Sequence, residues 1–208
     1  MATITIIMGT AALIIIGLIV ARYIKNKPAT HIILPEFVVT PPAQNEPMDV
    51  PPVYIPPAQN TNQAETKNLL NKPGLPRGMR NNNPGNIRRG NNAWQGKIAY
   101  SQSTDSAFEQ FSLYKWGVRA MIKLIINYIN QGNNTITKII NKYAPSTENN
   151  TIAYINAVAN QSGVNPNAIL NKNEYELLKR IIIAMAKHEN GKADAITEAD
   201  FYTAWQLL

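Results

Sequence analysis

The chain has no cysteine among its 208 residues. That excludes a disulfide framework, zinc–thiolate and iron–sulfur sites, and thiol nucleophiles. Histidine is scarce as well. His31 and His188 are the only two, too few for a His-based metal centre and poor material for a Ser-His-Asp triad. No GxxxxGK(S/T) loop, GxGxxG fingerprint, HExxH pair or GxSxG elbow occurs, which disfavours nucleotide-driven and serine-hydrolase chemistry. No cofactor and no metal site are expected. Carboxylates are then the side chains left for acid–base work.

Charge is absent from Met1 to Ala21, and the first cations are Arg22, Lys25 and Lys27. An apolar run of ~20 residues at ~1.5 Å each spans about 30 Å, the thickness of a bilayer core. It lacks the leading positive charge of a signal peptide and is long for its hydrophobic region. Residues 1–24 are therefore read as a retained transmembrane anchor, with residues 3–21 in lipid. The cations that follow place the rest of the chain on the cytoplasmic side. Residues 25–76 read as a linker. Eleven of the 14 prolines lie between 28 and 76, and PPAQN at Pro41–Asn45 recurs at Pro56–Asn60. Proline fixes φ and removes a donor, so neither a helix nor a packed sheet is expected there. As polyproline II at ~3.1 Å each, ~45 such residues reach ~140 Å, and far less if coiled.

Residues 77–208 are expected to form a mainly α (α+β) domain. They hold 15 Lys+Arg and 9 Asp+Glu, which is +6 of the chain's +7. Val118, Met121, Ile122, Ile125 and Ile129 recur at helical spacing and end near Gly132. Ile136, Ile139, Ile140 and Tyr143 make a shorter helix, stopped by Pro145. Ile152, Ile155, Val158 and Ala159 mark a third, with Thr147 as cap and Gly163 as stop. Asn173 and Glu176 match a capping box for a helix burying Leu177, Leu178, Ile181, Ile182 and Met185, closed at Gly191. Thr197 and Asp200 cap a last helix carrying Phe201, Trp205 and Leu208. Arg77–Ser112 is rich in Asn, Gly and Pro and predicts turns with a short hairpin.

Three places could carry chemistry. Arg77–Arg89 holds four arginines and a run of asparagines. Pro84-Gly85 fits the centre of a type II turn. The segment suits a polar or anionic ligand such as a sugar polymer or nucleic acid, or it is a solvated basic loop. Glu189 sits in His188-Glu189-Asn190-Gly191, at the C-terminus of a strongly apolar helix. Both the helix dipole and apolar surroundings disfavour an ionised carboxylate there, which suits a general acid. A solvent-exposed helix-end Glu is the plain alternative. Glu148 falls in the first turn of a helix, where the dipole alone could account for it. Asp105 and Glu109 complete the acidic candidates near the turn-rich region.

The segment RGMRNNNPGNIRRG at Arg77–Gly90 is followed by Trp94-Gln95-Gly96, Phe108, Phe111 and Gly117-Val118-Arg119-Ala120. Next come Ala144-Pro145 through Glu148-Asn149 to Tyr154-Ile155 and Val158, and finally His188-Glu189-Asn190-Gly191. This order resembles a phage virion-associated domain family whose members are virion structural proteins or lysozyme-like peptidoglycan-degrading ones. The resemblance covers roughly residues 77–192, and its first motif is too long to be chance. The pieces are also similar to lysozyme-like lytic transglycosylases in rotated order. There the helix ending in the acid comes first, an N-x-F-G-I turn follows it in the related glucosaminidases, and an E-T-x-x-Y-V segment comes last. Asn83–Ile87 is similar to that turn, although its Phe is missing.

The resemblance implies a lysozyme-like domain, circularly permuted, with the acid helix moved to the end. It requires Glu189 to lie near Asn86 and Tyr154. It implies cleavage of the β-1,4 bond between N-acetylmuramic acid and N-acetylglucosamine, with Glu189 as the acid. A hydrolase needs a second carboxylate, which Glu148, Asp105 or Glu109 could supply; spacing does not choose among them. Asn83, Gly85, Asn86 and Ile87 of the turn, with Tyr143 and Tyr154, fall at the substrate-binding positions. The implied partners are peptidoglycan, the lipid membrane and capsid proteins. The implied location is a virion internal membrane, or the host inner membrane during expression. The alternative is a non-enzymatic membrane-associated virion structural protein that binds the cell wall. Nucleic-acid binding is disfavoured, because acids interrupt the basic residues and aromatics do not interleave with them.

Overall fold

Apolar residues at spacings of three and four build the helices. The structure is a computed structural model and describes residues 61–147 and 150–208. The helices are α1 (Thr61–Thr66), α2 (Arg77–Arg80), α3 (Tyr114–Asn130), α4 (Ile136–Tyr143), α5 (Thr151–Ser162), α6 (Tyr175–Asn190) and α7 (Glu198–Trp205). The predicted anchor 1–24, most of the linker and Glu148 lie outside the described residues. Among the described residues no helix is long and apolar enough to cross a membrane.

The core is a single apolar cluster. Val118, Met121, Ile122 and Ile125 of α3 join Ile136, Ile139 and Ile140 of α4 and Leu178, Ile181, Ile182 and Met185 of α6, all fully buried. α5 packs on α6 and α4, while α7 packs on α3. Tyr175, Phe201 and Trp205 close the α6–α7 side, with ring centroids 5.3 to 5.8 Å apart. α7 carries the expected capping box, Thr197 accepting from Asp200 N and Asp200 accepting from Thr197 N. Gly163 and Gly191 end α5 and α6 in the left-handed region, at φ 67° and 62°, where only glycine is free of a Cβ penalty.

Several expectations need correction. α5 is capped by Asn150, which accepts from Ala153 N, rather than by Thr147. Its buried face is Thr151, Tyr154, Val158 and Ser162, and Ile152 is 73% exposed. The Asn173–Glu176 capping box does not form. α6 begins one residue later, with Glu174 as an unbonded cap, because Asn173 N is turned onto Asn171 Oδ1 and Glu176 pairs with Lys179 at 2.9 Å. Leu208 lies beyond α7 and is exposed. Order also starts before residue 77. Between Pro57 and Pro73 the chain is proline-free, so α1 can form. Ala64 is buried, and Lys67 pairs with Asp200 at 2.6 Å.

Residues 81–112 form turns and two isolated antiparallel bridges, Arg88 with Phe108 and Lys97 with Phe111. No strand forms among the described residues. Asp105 anchors this region. Its carboxylate accepts from Arg77 Nε and Nη2 at 2.7 Å each, from Asn81 Nδ2 at 2.7 Å, and from the Ala107 and Phe108 backbone at 3.0 Å. The Arg77 hydrogen bond, aided by the others, holds it well below the usual carboxylate range despite burial. A carboxyl whose value is depressed on folding stabilises fully above its unfolded value, near pH ~4, and loses that contribution as the pH falls toward the folded value. The melting-temperature gap between wild type and Asp105→Asn is therefore expected to be widest at neutral pH and to narrow progressively below about pH 4. A gap that does not change with pH would contradict this role.

Candidate active site

Asn82, Asn83 and Asn86 play distinct parts in the turn. Asn82 and Asn86 adopt left-handed backbone, at φ 51° and 47°, which asparagine tolerates better than most side chains. Asn82 is fully buried. Its Nδ2 donates to Asn68 Oδ1 and Phe111 O at 2.9 Å, and its Oδ1 accepts from Leu69 N. Asn83 is also fully buried. Its Nδ2 donates to Ile87 O and Glu109 O, and its Oδ1 accepts from Ile87 N, all at 3.0 Å. Asn82 and Asn83 thus hold the turn, and Asn86 N donates to Asn83 O at 2.9 Å to close it.

Gly85 does not have the positive φ of a type II turn. It is glycine for a different reason: a Cβ would meet Tyr143 Oη at 2.7 Å and Met121 Cγ and Sδ at 3.0 Å. The Tyr143 hydroxyl donates to the Gly85 carbonyl. That bond ties the turn to the last residue of α4, and burial raises the Tyr143 phenol well above its ordinary value. Ile87 is buried beside it.

The turn delivers Asn86 to the end of α6. Asn86 Nδ2 donates to Glu189 Oε2 at 3.0 Å and to the Glu189 carbonyl at 3.3 Å. From α5, the Tyr154 hydroxyl donates to Glu189 Oε1 at 2.8 Å. Burial first, then the Glu189 charge, pushes the Tyr154 phenol well above its ordinary value, so it remains a protonated donor. The exposed His188 ring stacks on Tyr154, with centroids 3.8 Å apart and planes 17° apart. Each oxygen of one half-buried carboxyl therefore has its own donor, from two different segments.

Glu189 lines a cleft of about 500 Å³ with Asn86, Ile87 and Tyr143. Trp94, Phe108 and Tyr128 supply its aromatic walls, and the sequence reading gave them no role there. Trp94 lay within the quoted motif, but nothing in its spacing placed it near an acid 95 positions later. A second cleft of similar volume between α1 and α7 contains none of the predicted site residues. The other carboxylates are engaged elsewhere. Asp105 is held by Arg77, and Glu109, fully buried, accepts from Lys97 Nζ and Tyr100 Oη at 3.0 Å. Among the described residues Glu189 is the one carboxylate lining this cleft. The arginines are not a loose patch. Arg77 and Arg88 lie over the Phe108 ring at 4.4 and 5.4 Å, and Arg89 lies over Tyr100 at 4.3 Å, within cation–π range.

No known family profile matches the chain. It is similar to Protein P5 of Pseudoalteromonas phage PM2, with 39% identity over 119 residues. The match covers 55% of this chain and 71% of that protein.

Proposed function

The chain belongs to the family of Protein P5 of Pseudoalteromonas phage PM2, and from that premise and the Glu189 site we propose a virion-associated peptidoglycan lytic transglycosylase. The carrying observation is the convergence of Asn86, Tyr154 and Glu189, at 3.0 and 2.8 Å, from three separate segments. That is the arrangement a permuted lysozyme-like domain requires. Glu189 donates its proton to the oxygen between N-acetylmuramic acid and N-acetylglucosamine, and the C1–O bond breaks. The 6-hydroxyl oxygen of the same muramic sugar then bonds to C1, and its proton returns to Glu189. The product is a 1,6-anhydro end, no water is consumed, and one carboxylate serves as acid and then as base. Tyr154 and Asn86 hold the carboxyl plane throughout, which is the positioning such catalysis depends on.

The surroundings support this reading. The +6 of residues 77–208 attracts an anionic wall polymer. The uncharged run Met1–Ala21 supplies a membrane anchor, and the cations after it keep the domain on the cytoplasmic face. A virion that wraps an internal membrane taken from the host would carry that face against its capsid. The enzyme would then be stored away from the wall until infection.

Mass spectrometry of fragments released from purified sacculi tests the reaction. Muropeptides with 1,6-anhydro ends are expected. Reducing ends would replace the transglycosylase with a hydrolase and require a second carboxylate. Protein bound to intact sacculi with no release would favour the non-enzymatic wall-binding role.

A further inference from the structure

α2 is a single helical turn, yet its second residue touches the support of Glu189. Gly78 is buried. An ideal Cβ built on it would lie 2.5 Å from Asn190 Oδ1, 2.8 Å from Asn86 Oδ1 and 2.9 Å from the Asn83 carbonyl oxygen. Contacts that short are essentially never seen for real Cβ atoms. Gly78 has no left-handed φ, so conformational freedom does not explain the glycine. The missing Cβ does.

Both side-chain oxygens, Asn86 Oδ1 and Asn190 Oδ1, are buried, and neither accepts a hydrogen bond from an N–H or O–H donor. What they face is the bare side of Gly78, in the space its Cβ would otherwise fill. The consequence lies at the other end of each amide. With its oxygen seated on Gly78, Asn86 must turn its nitrogen to Glu189. Asn190 likewise turns its nitrogen to Pro84 O at 2.7 Å and Ala186 O at 2.8 Å, which joins the end of α6 to the turn. A flipped Asn86 would set an oxygen against a carboxylate oxygen and lose the donation.

We propose that Gly78 is a positioning residue, whose bare Cα seats the two amide oxygens and so fixes the donor end of Asn86 on Glu189. This rests on the reading of Glu189 as the acid. Gly78 lines no part of the cleft and acts only through Asn86.

The test uses the full-length chain in detergent solution, with Gly78→Ala, Asn86→Ala and the double variant. On solubilised peptidoglycan strands, each single variant is expected to lower kcat about 10-fold or more with KM within about twofold. The double variant is expected to be no worse than Asn86→Ala, because both remove one interaction. Multiplying effects would overturn the proposal. A second readout needs no activity. The Asn86 side-chain amide resonance should shift when Glu189→Gln is introduced into wild type, and should not respond in the Gly78→Ala background. A response equal in both backgrounds, or absent from wild type, overturns the proposal. If the resonances behave as expected and wild type is inert, the enzymatic reading fails and the seat at Gly78 stands. Should Gly78→Ala alone fail to fold, adding Asn190→Ser removes the tightest contact, and the same readouts apply to that pair.

Discussion

Glu189→Gln is expected to end clearing on a murein zymogram while leaving the fold in place. The substitution keeps the side chain's shape and removes its proton. General acid–base groups contribute about 10²–10⁴-fold in rate, and here no other carboxylate lines the cleft among the described residues. The structural cost is small. One of the two donors, Asn86 Nδ2 or Tyr154 Oη, loses its acceptor to the new Nε2, about 1–3 kcal/mol at most for a half-buried group. Circular dichroism should therefore match wild type. Clearing that persists in the variant would remove Glu189 from the mechanism.

Gly117→Ala should destabilise the protein severely, against the sign that helix propensity gives. Alanine is favoured over glycine inside a helix by about 1 kcal/mol. At this position a Cβ would fall 1.7 Å from the Asn82 carbonyl oxygen, 2.8 Å from its carbon and 3.1 Å from Asn83 Cα. All three are backbone atoms, and Asn82 and Asn83 are locked by buried hydrogen bonds, so nothing nearby can yield. Overpacking of this kind costs about 3 kcal/mol or more. For a protein of this size that lowers Tm by roughly 6–12 °C. A scanning melt decides it, and a Tm equal to or above wild type would show that α3 can stand away from the turn. The same displacement would move Asn86, so residual folded protein should also be poorly active.

The helices were legible where burial is mainly apolar. α3, α4 and α6 are written in isoleucine, leucine and methionine at spacings of three and four, and most of those side chains are buried, although Leu177 of α6 is only partly so and the buried residues of α6 also include Lys179 and Asn190. α5 was misread because half its buried face is polar. Thr151 donates to Ala144 O, and Ser162, the last residue of α5, is buried with its hydroxyl on Ala159 O, so counting apolar residues alone rotated the helix toward Ile152. The turn was misread for a related reason. Pro84-Gly85 has the composition of a type II turn, but Gly85 answers to Tyr143, 58 positions away, and such a contact leaves no local trace. The pairings of Arg77 with Asp105 and Lys97 with Glu109 are equally invisible to spacing. Residue chemistry raised Glu189 as one of four acidic candidates, and the resemblance made it the favoured acid. Its neighbours Asn86 and Tyr154 came from the order of motifs in the resemblance, and the aromatic walls of the cleft came from neither.

The two hydrogen bonds on Glu189 span 103 and 35 positions of chain. Closing such separations carries an entropy cost that local helices never meet, and contacts of that kind form late in folding. Forming α5 or α6 alone creates no part of the site, and the turn itself needs Asn68, Glu109 and Phe111 from outside it. The carboxyl acquires its partners only when all three have docked. A chain caught midway, or cut between Asn86 and Tyr154 so that the pieces separate, retains helix but has no machinery. On the proposed function, lytic capacity would be latent in the unfolded polypeptide and switched on by the last docking step.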